Sequence, residues 1–374
     1  MTEKTLPFLI TWIFIKLQPS STCHSIRQSI TESSVQSNFD VYWNVPTFMC
    51  HKYGIFFEEV SKDFNIKQNN KDQFRGDKFF ILYDPGYFPA LLKDENGEIW
   101  RRNGGVPQEG NITLHLELFK NHVEDQVPNK SFQGIAVIDF ESWRPIFRQN
   151  WASLNQYREI SINIERIRHP FWSNKSIKKE AIKNFEFHGK EFMLQTLKLA
   201  KTLRPLAKWG YYAYPYCFNN NDPNLNCDPL VHAENDRLNS IFSEQHVLFP
   251  SVYLRKSFEE NKRIGIIRAR IREAIRISKK MTHYKNIFPY FWYKYQDDSN
   301  IFINKKDTEN GIKEFVNQGA DGLVIWGSSN DLTNKSKCQM LREYLKDVLG
   351  PIVSNIKISK RKEDYITYNS SCLN

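Results

Sequence analysis

The chain is most informative at first for the signatures it lacks. No zinc-finger spacing of Cys and His, no aromatic RNP-type motif and no P-loop occurs in its 374 residues, so the common nucleic-acid and nucleotide modules are not encoded. The 9 His form no HExxH, the 6 Cys lack zinc-ligand spacing, and no GxSxG elbow is present, which leaves neither a metal-assisted nor a serine-nucleophile hydrolase and implies no metal and no cofactor. No GxGxxG follows any strand-like run, and no internal repeat is visible. Acidic residues are also in deficit, 42 against 52 Lys and Arg, for a formal charge of +10. Such a field gathers a polyanion or a negatively charged surface; with the nucleic-acid motifs missing, an anionic polysaccharide fits better than DNA or RNA.

No apolar run reaches the ~20 residues of a membrane-spanning helix. The longest near the start, Leu6 to Ile15, follows Lys4 and precedes the small residues Ser20 to Thr22. This is the layout of a secretory signal peptide, placed at residues 1–23, with a buried N-terminal helix as the alternative and no membrane anchor implied. Secretion makes the cysteines readable as disulfides. Cys217 and Cys227 bracket CFNNNDPNLNC, a loop-forming composition that suits a short bridge, while spacing leaves Cys23, Cys50, Cys338 and Cys372 open. Sequons at Asn111, Asn129, Asn174, Asn334 and Asn369 suit a glycosylated extracellular protein.

Aromatic content of 14%, with 9 Trp and 17 Tyr, exceeds what a core demands and suggests exposed platforms on which sugar rings or bases stack. Strand-like runs alternate with helix-like ones: 79–83, a helix over 111–127, 135–140, a helix over 178–203, 209–214, 247–254, a helix over 263–281, 290–295, a helix near 313–318, 322–326 and a helix over 335–349. Repeated β then α predicts a parallel sheet, and this many repeats predicts an α/β fold closed as a distorted (β/α) TIM-like barrel in one domain over 38–353. An open doubly wound sheet is the alternative. In the helix over 263–281, Ile264, Ile267, Ile271, Ala274 and Ile275 form one stripe, and the arginines around it read as the solvated face. Residues 354–374 read as a polar tail.

Within GIAVIDFESWRPIFRQNW, an apolar run ends on Asp139 and Glu141. Side chains alternate along a strand, so both acids point to the same side, with Cα atoms ~7 Å apart. Carboxyl groups this close do not both ionise easily; one retains its proton near neutral pH beside a charged partner, as cleavage of a glycosidic bond requires. The competing reading is a pair of surface acids, or an ion pair of one with Arg144. Tyr212, Tyr214, Tyr253 and Trp326 also finish strand-like runs, where they would donate hydrogen bonds to a sugar or wall its ring.

Nine blocks then resemble, in order over about residues 40–353, the hyaluronidase family, and within it the enzymes of bee, wasp and ant venoms. They are WNVPTFMC (43–50), LYDPG (82–86), FPALL (88–92), NGGVPQ (103–108), VIDFESWRPIFRQNW (137–151), WGYYAYPYC (209–217), PSVYLR (250–255), YKYQD (293–297) and IWGSS (325–329). The resemblance implies a secreted, retaining endo-glycosidase that cuts β-1,4 bonds after N-acetylglucosamine in hyaluronan. Its mechanism would be substrate-assisted, the acetamido oxygen serving as nucleophile. It further implies Glu141 as acid/base, Asp139 as the residue that orients the acetamido group, and Tyr253 as that group's hydrogen-bonding partner. Tyr212 and Trp326 would shape the subsite, and Asp84, Arg144 and Ser329 would line the groove. It pairs Cys50 with Cys338 and Cys217 with Cys227, leaving Cys23 and Cys372 to pair with each other or Cys372 to stay free. The implied partner is hyaluronan, with chondroitin sulfate as a second polymer, acted on by a monomer, and the implied setting is a venom gland. Ser240 stands where relatives carry Trp, the loop from Cys217 to Cys227 is short, and the tail is extra; both acids are untouched. A hydrolase preferring chondroitin, and a non-catalytic glycan-binding relative, are the alternatives.

Overall fold

Ile135, Val137 and Asp139 point to one face of the strand Ile135–Asp139, and Ala136 and Ile138 to the other, and the two sets pack into different cores. Ile135 and Val137 join a small cluster with Tyr42, Phe79, Ile81, Phe249, Tyr290 and Val324, and the second set joins the large cluster under the helices. A strand apolar on both faces is what a barrel wall requires, since one face fills the lumen and the other receives the helices. The computed structural model describes residues 39–221 and 225–356. The expected signal segment, Cys23, Asn369, Cys372 and all but the first three residues of the tail lie outside them.

Parallel ladders join Phe79–Tyr83 to Ile135–Asp139 to Lys208–Tyr211, and join Asp40–Asn44 to Gly322–Trp326 to Tyr290–Trp292. Val247–Leu248 pairs in parallel with Asn286–Ile287, and single bridges Tyr212 to Phe249 and Ser251 to Tyr290 tie this pair to both sets. The result is a distorted (β/α) barrel. Between Asp40–Asn44 and Phe79–Tyr83 no ladder forms among the described residues; the intervening segment fills the seam. Lys67 exchanges backbone hydrogen bonds with Val41 and Trp43, Asn69 holds the backbone of Phe79 on both sides, and Arg75 Nε donates to the Ile81 carbonyl at 2.7 Å.

Several expected elements shift for identifiable reasons. The long helix begins at Asn174 rather than 178, because Ser173 caps it by accepting the Ser176 N–H, and Asn304 caps Lys305–Gln318 by accepting from Asp307, eight residues before the expected start. The run 290–295 is not one strand. It breaks after Trp292, and Lys294–Tyr295 turns into an antiparallel hairpin with Asp298–Phe302. The run 247–254 holds a ladder only at Val247–Leu248, and the last expected helix passes through a π turn, Leu345–Leu349, before ending at Ser354. The helix Asn155–Arg168 and the hairpin Ala90–Lys93 with Ile99–Arg102 were not anticipated, as charge-rich sequence hides the periodicity of both. Disulfides link Cys50 to Cys338, stapling the first strand's end to the last long helix, and Cys217 to Cys227.

Candidate active site

The parity that buries Ile135 and Val137 in the lumen carries Asp139 to its upper end, and Glu141 follows two residues later on the rim. Tyr83 lies opposite Asp139 in the ladder, and the Asp84 N–H donates to the Asp139 carbonyl at 2.7 Å, so the acid's backbone is held from the neighbouring strand. A side-chain hydrogen bond joins the two carboxyls. Burial, then the charges of Glu141 and Asp84, push Asp139 up to about 8. Glu141 is open to the cleft yet ringed by protein atoms; burial raises it too, while the Arg144 charge and the hydrogen bond from Asp139 oppose the rise. Below about pH 8 the pair therefore shares a proton, held chiefly by Asp139 when the cleft is empty.

The strand ends on the far side supply the walls. Tyr253 and Trp326 stack with centroids 5.6 Å apart, Trp292 meets Trp326 edge-on at 5.3 Å, and Trp326 Nε1 donates to the Tyr83 hydroxyl at 3.3 Å. Tyr212 donates to Ser251 Oγ at 3.2 Å. Burial raises the hydroxyls of Tyr212 and Tyr253 far above their usual range, so both remain donors at any physiological pH. Tyr212, Ser251, Tyr253, Trp326 and both acids line one cleft of ≈ 640 Å³, within the range of sites that enclose small ligands or a sugar or two, while Trp292 and Tyr83 buttress Trp326.

Arg144 also lines it, without forming an ion pair with Glu141 among the described residues. Its Nη1 donates to the Gln149 carbonyl at 2.6 Å, and its guanidinium faces Tyr216, Phe218 and Trp151 at 5.0 to 5.6 Å. Asp84 and Ser329 are not among the residues lining this cleft. Asp84, at φ +43, turns away to grip Arg102 with both oxygens, and Ser329 is exposed on the turn after the last barrel strand. Tyr214 is core, its hydroxyl directed at Met193 Sδ.

Sequence reasoning missed Arg270. The arginines of the helix Glu260–Lys280 do not all form a solvated face, because Arg270 reaches under the cleft, donating to Asn219 Oδ1 at 3.0 Å, Asn220 Oδ1 at 2.8 Å and the Ser251 carbonyl at 2.7 Å. Burial lowers it to about 10, and it remains charged at neutral pH. One guanidinium thus joins the disulfide-closed loop to the strand end whose Ser251 holds Tyr212. The apolar stripe is also wider than expected; Ile266, Ala269 and Ile277 are buried, whereas Ile264 and Ile275 are only half-buried. Tyr216 and Trp151 stood within quoted blocks and could have been found from their aromatic recurrence. Among the described residues no cluster of three or more His, Cys, Asp or Glu is disposed to hold a metal ion.

A family model described as hyaluronidase matches residues 29–363. The chain is 51% identical to the hyaluronidase of Apis mellifera over 336 residues, 89% of this chain and 88% of that protein. It is 43% identical to a Vespula vulgaris protein named inactive hyaluronidase B over 336 residues, 89% of this chain and 98% of the other. The structure of bee venom hyaluronidase in complex with a hyaluronic acid tetramer superposes with a TM-score of 0.84 at 52% identity, covering 85% of this chain and 99% of that one.

Proposed function

Because the chain belongs to the hyaluronidase family, we propose that it is a secreted endo-glycosidase that cleaves the β-1,4 bond between N-acetylglucosamine and glucuronate in hyaluronan with retention of configuration, acting in venom as a spreading factor. The observation that carries this reading is the proton-sharing pair Asp139 and Glu141 at the base of an aromatic-walled cleft. The formal charge of +10 favours capture of a polymer with a carboxylate on every second sugar.

In this reading N-acetylglucosamine sits against Trp326 with its acetamido group at Asp139 and the Tyr253 hydroxyl. The arriving acetamide N–H favours the charged form of Asp139, and the shared proton passes to Glu141. Glu141 O–H donates to the glycosidic oxygen as the C1–O bond breaks, and the acetamido carbonyl oxygen bonds to C1 from the opposite face. The resulting oxazolinium cation is stabilised by the Asp139 carboxylate, and Tyr253 donates to the acetamido oxygen. Water then attacks C1 from the side the leaving group vacated. Glu141 takes its proton, the C1–O bond to the acetamide breaks, and configuration is retained.

Glu141→Gln tests the assignment. It should abolish turnover in a reducing-end assay while hyaluronan binding is largely kept; depolymerisation near the wild-type rate sinks it. The Vespula relative named inactive makes the non-catalytic alternative concrete. Parallel assays on hyaluronan, chondroitin and a polymer lacking N-acetyl groups separate the readings, and equal rates on the last would refute substrate assistance.

A further inference from the structure

The last turn of the helix Asn155–Arg168 and the turn that joins it to the helix Asn174–Leu203 expose large apolar side chains: Ile167 is 72% exposed, Phe171 98% and Trp172 45%. Water is a poor environment for such groups unless something covers them. The turn is well held. Trp172 stacks flat on His169 with centroids 3.8 Å apart, and its N–H donates to the His169 carbonyl at 3.0 Å. Ser173 then caps the long helix, accepting from the Ser176 N–H at 3.2 Å, with its hydroxyl 3.0 Å from that of Ser176.

Directly after the cap comes Asn174, the acceptor of an Asn-Lys-Ser sequon, exposed and without a side-chain hydrogen bond among the described residues. In the other described sequons Asn111, Asn129 and Asn334 each accept a backbone N–H, from Leu114, Ser131 and Lys337. None of those three has an aromatic residue among the three before it, whereas Asn174 follows Trp172 by two residues and Phe171 by three. At ≤ ~3.8 Å per residue the Cα atoms of Trp172 and Phe171 lie within ~8 and ~11 Å of that of Asn174, a span a single pyranose ring on the amide bridges. One face of N-acetylglucosamine presents axial C–H groups, and such a face packs on an aromatic ring.

We propose that Asn174 carries an N-linked glycan whose first N-acetylglucosamine packs on Trp172 and Phe171, so that the chain's own modification covers its exposed apolar turn. The proposal rests on the secretion assigned above. The transfer joins Asn174 Nδ2 to C1 of the sugar as the C1–O bond to a lipid-linked pyrophosphate donor breaks; the amide loses one proton and the pyrophosphate leaves with the electron pair. The Ser173 cap orients the acceptor, and the stack on His169 holds the Trp172 face in place.

The test expresses the full chain in secreting insect cells and reads every sequon peptide by mass spectrometry. Asn174 should be occupied. Thermal unfolding is then compared for the parent, Asn174→Gln, the pair Phe171→Ala with Trp172→Ala, and all three together. The glycan should raise Tm by about 2 °C on the parent and by nothing on the doubly Ala-substituted protein. A bare Asn174 beside another occupied sequon overturns this proposal alone, as does an equal glycan effect on both backgrounds. A protein bare at every sequon overturns the secretion reading with it.

Discussion

Asp139→Asn should stabilise the fold while removing its activity. In the unfolded chain Asp139 titrates near its ordinary value of 3.8, and in the folded protein it is pushed up to about 8 by burial and by the charges of Glu141 and Asp84. The sign follows from proton binding. Between those two values the folded state holds more protons than the unfolded one, so stability falls as pH rises from about 4 to 8. Treated as an isolated site, the penalty at pH 7 is about 4 kcal/mol; water in the cleft and sharing with Glu141 reduce it to roughly 2 kcal/mol. An Asn of the same shape carries no such penalty, and for a domain of this size 2 kcal/mol corresponds to a Tm rise of ~3 °C. Scanning calorimetry of both proteins from pH 4 to 8 is the measurement, read as the difference between them so that other titrating groups cancel. The difference should approach zero near pH 4 and grow to ~3 °C by pH 7.5. A variant no more stable than wild type at pH 7.5, or a difference that does not vary with pH, would refute the reasoning.

Arg270→Met leaves three acceptors without their donor and should destabilise the fold by about 3 kcal/mol, with kcat/KM on hyaluronan lowered ~10-fold or more as Ser251 and the loop at Asn219 and Asn220 lose their common anchor. Because Arg270 acts by positioning, Arg270→Lys should recover part of the rate, and the pH profile should keep its shape. Replacing Cys50 and Cys338 by Ser opens a span of 288 residues, for which chain entropy predicts a loss of up to about 5.7 kcal/mol, whereas the 10-residue span from Cys217 to Cys227 predicts about 2.7 kcal/mol. Denaturant titration should rank the two that way, with activity per folded molecule lower only for the second pair, since Cys217 and Phe218 line the cleft.

The residues that sequence reasoning located and those it missed differ in a physical way. Asp139, Tyr212, Tyr253 and Trp326 were legible because each stands at or just past the end of a strand-like run. Asp139 and Trp326 are the last strand residues, Tyr212 is one residue beyond its strand and Tyr253 two beyond the Ser251 bridge, and the period-two alternation that buries the lumen also aims inward side chains at its mouth. Strand parity is local, so a single sequence carries it. Arg270 is helical, and the periodicity that told apolar from polar positions gave no warning that one polar position faces a loop and a strand end rather than water. Its role depends on Asn219, Asn220 and Ser251, which come from two other segments. Asp84 errs in the opposite direction: it directly follows a strand-like run, but Tyr83 is the last strand residue and takes the inward place opposite Asp139, and Asp84 turns to Arg102. Its charge nonetheless raises the pKa of Asp139. The acid pair is thus tuned by a residue outside the cleft: Asp84→Asn should lower the pKa of Asp139, so the pair loses its shared proton sooner and the alkaline limb of the kcat/KM–pH profile on hyaluronan moves to lower pH; a limb that does not move would refute the coupling.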